Sequence, residues 1–213
     1  MKPVLLRCCR FSKALFRYRM ALLLVASTAL SACSGGPPPK LYLLEAPSID
    51  TAEQATQAAS LDALGVSQVE LPSYASDARI ASLGADGVVL QSNGQRWAEE
   101  PEEAITRLLA NRLRQRASAT VLVEPWPRDF SPQARIEVVF DRLLREPDGG
   151  ASLSGQVYLV SGDGRTLLQS VDFNRVVPGF SLHSTAFFRS IAVAVDEIAR
   201  IAVASLLAPE STS

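Results

Sequence analysis

Histidine and cysteine are almost absent from the part of this 213-residue chain that we expect to fold. The only histidine is His183, and the cysteines are Cys8 and Cys9, within an N-terminal leader, and Cys33 at its end. A zinc site needs three or four ligands of compatible type, and a disulfide framework needs paired cysteines. We therefore expect no metal, no cofactor and no disulfide, and a fold that is stabilised by its core alone.

The N-terminus also lacks an apolar run long enough to cross a membrane. Its apolar stretch, 20–30, falls short of the roughly 20 residues that a transmembrane helix needs. The residues before it are free of acids and include six bases, Lys2, Arg7, Arg10, Lys13, Arg17 and Arg19. A basic segment, a short apolar segment and then small residues are typical of a secretory signal peptide. We expect residues 1–32 to be removed.

The sequence Leu30-Ser31-Ala32-Cys33 resembles the lipobox of bacterial lipoproteins. That resemblance implies a diacylglyceryl thioether on Cys33 and, after cleavage, an N-acyl chain. One acyl chain anchors only marginally, at about 0.8 kcal/mol per buried CH₂, so several chains on one cysteine imply permanent attachment. Residues 33–39 then form the lipidated cysteine and a Gly/Pro tether. Ser34, the residue after the lipidated cysteine, implies that the protein is anchored in the outer membrane and faces the periplasm. The alternative is that it is anchored on the periplasmic side of the inner membrane.

Basic residues are scarce once the leader is removed. Six of the 21 basic residues lie in the leader, which leaves 15 against 22 acidic residues, a formal net charge of −7. Lys40 is the one lysine that remains. Nucleic-acid binding depends on many Lys and Arg contacts with phosphates, so we expect no nucleic-acid partner.

Motifs that assemble a catalytic site are missing as well. The sequence contains no GxxxxGK[ST] phosphate loop, no GxSxG nucleophile elbow and no HExxH pair. The acidic residues Glu99, Glu100, Glu102 and Glu103 lie where a helix is predicted to begin, and the helix dipole accounts for them. We therefore predict that the protein is not an enzyme.

Apolar alternation and turn signals predict an α/β fold, a mixed and largely antiparallel sheet packed with two main helices in a single domain. The domain covers residues 40–208, and a polar tail, 209–213, follows it. Asp-Gly turns predict that the three long strands near the C-terminus form an antiparallel meander. The predicted strands are 40–44, 64–71, 78–83, 87–91, 120–124, 134–144, 152–161 and 165–177.

The two predicted helices cover residues 99–117 and 184–207. Apolar residues recur at helical spacing in both, and Ser184 suits the N-cap of the second. The first helix has acids at its start and Arg112, Arg114 and Arg116 at its end, which matches the helix dipole. The same polarity offers a head-to-tail contact between copies of the chain, so a homo-oligomer is the alternative to a dipole role alone.

Four residues are candidates for a partner-binding surface: Tyr74, Arg79, Arg96 and Trp97. Aromatic residues and arginine are enriched at protein interfaces. The alternative is that Tyr74 and Trp97 belong to the core, with their polar atoms hydrogen-bonded. The sequence leaves both interpretations open.

The order of these segments resembles the PqiC-like family of ABC-type transport auxiliary lipoproteins. A lipobox is followed by Lys-Leu-Tyr-Leu-Leu at 40–44, Val-Glu-Leu-Pro-Ser-Tyr at 69–74, Arg79-Ile80, and Arg-Trp-Ala-Glu at 96–99 opening a helix. The resemblance covers residues 40–207. One departure is that Glu100 separates Glu99 from Pro101, which shifts the helix start by one residue.

Membership of that family would imply a lipid-anchored accessory subunit of an intermembrane lipid-transport system. Its partners would be a periplasmic MCE-domain protein, which the subunit docks at the outer membrane, and inner-membrane transporter components. Such systems move lipid between the membranes or maintain the envelope. The alternative is a standalone envelope lipoprotein that binds a small hydrophobic or peptide ligand.

The anchor can be tested by replacing Cys33. The variant Cys33→Ala has no thiol to accept the diacylglyceryl group, so we expect an unprocessed chain that takes up no labelled palmitate. Fractionation of the envelope and palmitate labelling are the measurements. A variant that still incorporates palmitate and sediments with outer membranes would show that Cys33 is not the anchor.

Overall fold

A computed structural model describes residues 37–45, 61–84, 86–179 and 184–207. All of these except Pro37 and Pro38 belong to one compact unit, Pro39–Ser213. The leader 1–32, Cys33, most of the tether 33–39, His183 and the tail 209–213 lie outside the described residues.

The fold is a mixed sheet of eight strands with two helices, as predicted. Strand order runs β1-β4-β3-β6-β2-β5, and β3 and β2 share one edge of β6. Along the opposite edge of β6 the sheet continues through β7 to β8. The strands are β1 Lys40–Tyr42, β2 Ala63–Val66, β3 Arg79–Leu83, β4 Val89–Trp97, β5 Thr120–Val123, β6 Ala134–Arg145, β7 Ala151–Ser161 and β8 Leu167–Val177.

Strand β6 holds the two parts of the sheet together. Its first half pairs in parallel with β2, and its last residue, Arg145, pairs with Ser82 of β3. Along its other edge it pairs antiparallel with the whole of β7. Ala134, Ile136, Val138 and Phe140 are all buried and point to one face, because side chains alternate along a strand. The long apolar alternation of this segment therefore specifies the centre of the sheet.

The C-terminal meander β6–β7–β8 is confirmed, and its turns depend on glycine. Gly149 and Gly164 have positive φ angles of 86° and 72°, a conformation that glycine adopts without steric cost. In each turn the preceding aspartate, Asp148 or Asp163, accepts a backbone hydrogen bond. The Asp-Gly pairs thus fix the register of the three longest strands.

Strand β4 is longer than predicted. The polar Ser92-Asn93-Gly94 stretch, which the sequence prediction treats as the end of a strand, is a bulge within β4. The Ser92 hydroxyl accepts a hydrogen bond from the Gln95 amide at 3.1 Å, and the pairing with β3 shifts register there. Arg96 and Trp97 consequently end a strand rather than open a helix, which corrects the expectation for this segment. The first strand, by contrast, ends at Tyr42.

The helices are α1, Pro101–Arg116, and α2, Ser184–Leu207. Pro101 occupies the first helical turn, where its missing N–H costs nothing. The buried face of α2 includes Phe187, Ile191, Val195, Ile198 and Ala202, as its apolar spacing predicts. No helix among the residues that the structure describes is long and apolar enough to cross a membrane.

Both helices lie on one face of the sheet. Helix α2 packs on β7, β8 and β1, and α1 packs on α2 and β5. On β7 and β8, the side chains directed towards the helices are buried, for example Leu153, Val157 and Phe173. Asp172 and Asn174, which point to the opposite face, are exposed. We call that opposite side the outer face of the sheet.

The arginines at the end of α1 bind within the chain. Arg116 donates two hydrogen bonds to the Asp196 carboxylate of α2, at 2.7 and 2.8 Å, and the buried Arg112 lies 3.5 Å from the same group. Arg114 donates to the Val121 carbonyl and to Asn111. These contacts join α1 to α2 and β5, and the head-to-tail contact between copies stays a prediction.

Candidate functional site

Trp97 lies in the core at the junction of β4 and α2. Its side chain is 4% exposed, and its ring packs edge-to-face against Phe188 and Phe187, with centroids 4.7 and 6.3 Å apart. Tyr42 of β1 stacks on Phe188 from the neighbouring strand. Aromatic pairs of this kind contribute about 0.5–1.5 kcal/mol each beyond their burial. Of the two interpretations of Trp97, the structure favours the core.

Arg79 is held by an ion pair at the start of β3. Its Nε and Nη2 each donate to one carboxylate oxygen of Asp77 at 3.0 Å, and its backbone N–H donates to the same carboxylate at 2.8 Å. These hydrogen bonds lower the pKa of Asp77 from 3.8 to about 2. The pair therefore favours the folded state above pH ~3.8 and loses this effect as the pH falls through about 2. Both side chains are about 40% exposed, so solvent weakens the interaction.

Arg96 lies directly opposite Arg79 in the antiparallel pairing of β3 and β4. Trp97 points to the helices, so its neighbour Arg96 points to the outer face, where it is exposed. Among the described residues, none forms a hydrogen bond or an ion pair with the Arg96 guanidinium. On the other side of Arg96, β1 places Leu41 in register, 64% exposed. We call Leu41, Asp77, Arg79 and Arg96 the arginine patch.

Tyr74 lies on the loop that leads to β3 and is half-buried. Its hydroxyl lies 3.5 Å from the Asp141 carbonyl and 3.4 Å from the Leu143 amide. Asp141 is the extra residue of the β6 bulge between Phe140 and Arg142, where the pairing with β7 shifts register, and Leu143 follows it. The Tyr74 carbonyl accepts a hydrogen bond from Gln91 Nε2 at 2.8 Å. Tyr74 thus fastens its loop to the backbone of β6 and packs against the core, so it does not extend the patch.

The structure therefore brings Arg79 and Arg96 together, packs Tyr74 against the core and β6, and buries Trp97 on the opposite face of the sheet. Sequence reasoning missed Leu41 and Asp77. The signal for Asp77 was present as an Asp-x-Arg spacing before a strand, since an aspartate there can reach the arginine two residues on. Leu41 carried no such signal, because only the pairing of β1 with β4 reveals it.

The patch is suited to recognition. It joins two guanidinium groups and one carboxylate to an exposed leucine, a mixture of arginine and apolar surface that is typical of protein interfaces. An arginine fork pairs well with carboxylates. Within the described parts of the chain, no three His, Cys, Asp or Glu residues are grouped so that they could hold a metal ion.

A family model described as the ABC-type transport auxiliary lipoprotein component matches residues 42–202. The match spans the whole sheet apart from the start of β1, both helices except the end of α2, and the arginine patch except Leu41. No curated protein sequence matches the chain significantly.

Solved structures with the same fold include two of low sequence identity. An uncharacterized protein is 16% identical, with a TM-score of 0.61 over 80% of this chain and 99% of its own. Protein XCC0632 from Xanthomonas campestris, assigned to family DUF330, is 12% identical, with a TM-score of 0.63 over 79% of this chain and 95% of its own. At these identities the likeness shows the fold alone.

Removing the side chains of two adjacent residues distinguishes core from surface. Trp97→Ala leaves a cavity between β4 and α2, so we expect the free energy of unfolding to fall by about 3–5 kcal/mol. Arg96→Ala, one residue away on the outer face, should change it by no more than about 0.5 kcal/mol. Urea denaturation of the mature chain measures both. Equal stabilities for the two variants would show that Trp97 is not a core residue.

Proposed function

We propose that this chain, which belongs to the ABC-type transport auxiliary lipoprotein family, is the lipid-anchored accessory subunit of an intermembrane lipid-transport system of the envelope. Its role is to dock a periplasmic MCE-domain protein at the outer membrane. The family match over residues 42–202 is the observation that carries the transport role. The MCE partner and the outer membrane come from the resemblance and the lipobox.

The arginine patch is the part of the chain that we assign to the partner. Arg96 is exposed and lies in register with Arg79, whose charge Asp77 offsets. Like charges directly opposite on neighbouring strands disfavour each other. Asp77 pairs with Arg79 and also attracts Arg96, but one carboxylate cannot balance two guanidinium groups, and a partner carboxylate at Arg96 would supply the second negative charge. Leu41 offers apolar area beside it. The patch therefore fits an acidic and partly apolar surface on the partner.

The outer face gives the partner access. Both helices pack on the opposite side, so a bound protein would displace no helix of the described chain.

The lipid anchor supports the docking role by holding the protein at the membrane surface. A protein held on one membrane at raised local concentration can bind its partner through weak single contacts, and several copies would strengthen the attachment. A homo-oligomer is therefore consistent with the role and remains a prediction.

Affinity purification with a matched pair of charge reversals tests this proposal. The bait is the full-length protein, tagged at its C-terminus and extracted from solubilised envelopes. We expect the wild-type chain to retain an MCE-domain protein in stoichiometric yield. Arg96→Glu should weaken retention roughly thirtyfold, the effect of losing about 2 kcal/mol at an interface centre. Arg189→Glu, an exposed arginine of α2, makes the same charge change on the helical side and should have no effect.

Two outcomes would contradict the proposal at different levels. If the wild-type chain retains no MCE-domain protein, the docking role is wrong. If Arg96→Glu and Arg189→Glu weaken retention equally, the partner is real but the arginine patch is not its contact. Circular dichroism of both variants verifies that they remain folded.

A further inference from the structure

The turn between β3 and β4 carries exposed apolar residues that the proposed partner surface does not use. Val88, Val89 and Leu90 are 50%, 40% and 53% exposed. Consecutive residues of a strand point to opposite faces of the sheet, so this hairpin tip is exposed on both faces. Valine and leucine in this position cost solubility unless something covers them. We call residues 88–90 the hairpin tip.

The pairing of β1 with β4 shows where the chain enters the sheet. The two strands are parallel, with Lys40 opposite Gln95 and Leu41 opposite Arg96. The hairpin tip precedes these residues along β4 and therefore lies at the end of the sheet where β1 begins. The chain therefore enters β1, at Lys40, from the end of the sheet that carries the hairpin tip.

The length of this segment is sufficient to bring the tip to the level of the anchor. Lys40 is the seventh residue after Cys33, and seven extended residues span at most about 25 Å. Arg79 pairs with Arg96, which is level with Leu41, and Leu83 pairs with Val89, so the tip lies four β3 residues beyond Leu41 and three beyond Lys40, the start of β1. The offset from Lys40 is about 10 Å at ~3.3 Å per residue. A tether of this reach allows the tip and the acylated cysteine to lie at one surface.

We propose that the hairpin tip inserts into the interfacial region of the membrane that holds the lipid on Cys33. The low charge of the tip indicates which kind of membrane surface it enters. Asp86 is the one charged residue among positions 84 and 86–90, and its carboxylate accepts a hydrogen bond from the Val88 amide. The contact is thus apolar insertion into a zwitterionic surface, without help from basic residues. Apolar faces of interfacial segments bury about 5–10 Å into the headgroup and acyl boundary.

The insertion would give the domain a fixed orientation. A flexible tether alone leaves the domain free to rotate above the membrane, whereas a second contact removes that freedom. Arg79 and Arg96 of the arginine patch lie on β3 and β4, the two strands that the tip connects, so the direction of the patch relative to the membrane would be fixed as well. This inference rests on the proposed lipid anchor at Cys33.

A single introduced thiol reports whether lipid contacts the tip. Cys8 and Cys9 leave with the leader and Cys33 is acylated, so the mature chain offers no competing thiol. Leu90→Cys places the fluorophore NBD on the tip. Leu168→Cys is the matched control, since Leu168 is a leucine of similar exposure, 48%, at the opposite end of the sheet. Both full-length proteins are reconstituted in nanodiscs of phosphatidylcholine and phosphatidylethanolamine, with or without nitroxide-labelled phosphatidylcholine.

We expect nitroxide lipid to quench NBD at position 90 several-fold more strongly than NBD at position 168. Equal quenching at the two positions would overturn the inference. A blue-shifted spectrum at position 90 without nitroxide quenching would also overturn it, because a second copy or a protein partner would then cover the tip. The intact mass of the mature protein reports the lipid on Cys33 separately. An unlipidated mass would refute the anchor and this inference together, whereas a lipidated mass without quenching refutes the inference alone.

Discussion

The packing of α2 on one face of the sheet is the contact on which the rest of the structure depends. Phe187 and Phe188 begin its buried face and receive Trp97 from β4 and Tyr42 from β1. Further along, Asp196 binds Arg112 and Arg116 of α1, and Glu197 forms an ion pair with Arg175 of β8. The C-terminal helix α2 thus joins the first strand, the first helix and the last strand. Because the contacts span the whole domain, we expect it to unfold as one unit.

This one-sided packing determines where function can lie. Residues that face the helices are buried in the core and cannot contact a partner, and Trp97 is the clearest case. The next residue along the strand, Arg96, points the other way and keeps its charge in solvent. A sheet covered on one side therefore presents an arginine and a leucine where neighbouring strands place them in register. The Arg96 guanidinium is significant because it forms no hydrogen bond or ion pair with a described residue, whereas most of the other described arginines bind carboxylates or carbonyls within the fold.

Much of the fold could be predicted from the sequence because local signals agreed with the tertiary structure. The alternation of 134–144, the Asp-Gly turns and the helical spacing of Phe187, Ile191 and Val195 each specify one element. The sequence was insufficient where long-range pairing decides the outcome. The bulge at Ser92-Asn93-Gly94 has the composition of a loop, and only pairing with β3 and β1 extends the strand to Trp97. The same pairing exposes Leu41 and separates the roles of Arg96 and Trp97, which no local pattern distinguishes.

Site-specific photocrosslinking in living cells tests most directly whether the outer face at Arg96 contacts an MCE-domain protein. Benzoylphenylalanine replaces Arg96, Asp172 or Arg189 in the full-length protein. Asp172 lies on the same face at β8, and Arg189 lies on α2. We predict an adduct with an MCE-domain protein at position 96 and none at position 189, with position 172 showing how far the contact extends. An adduct at position 189 of equal yield, or none at position 96, would contradict the account.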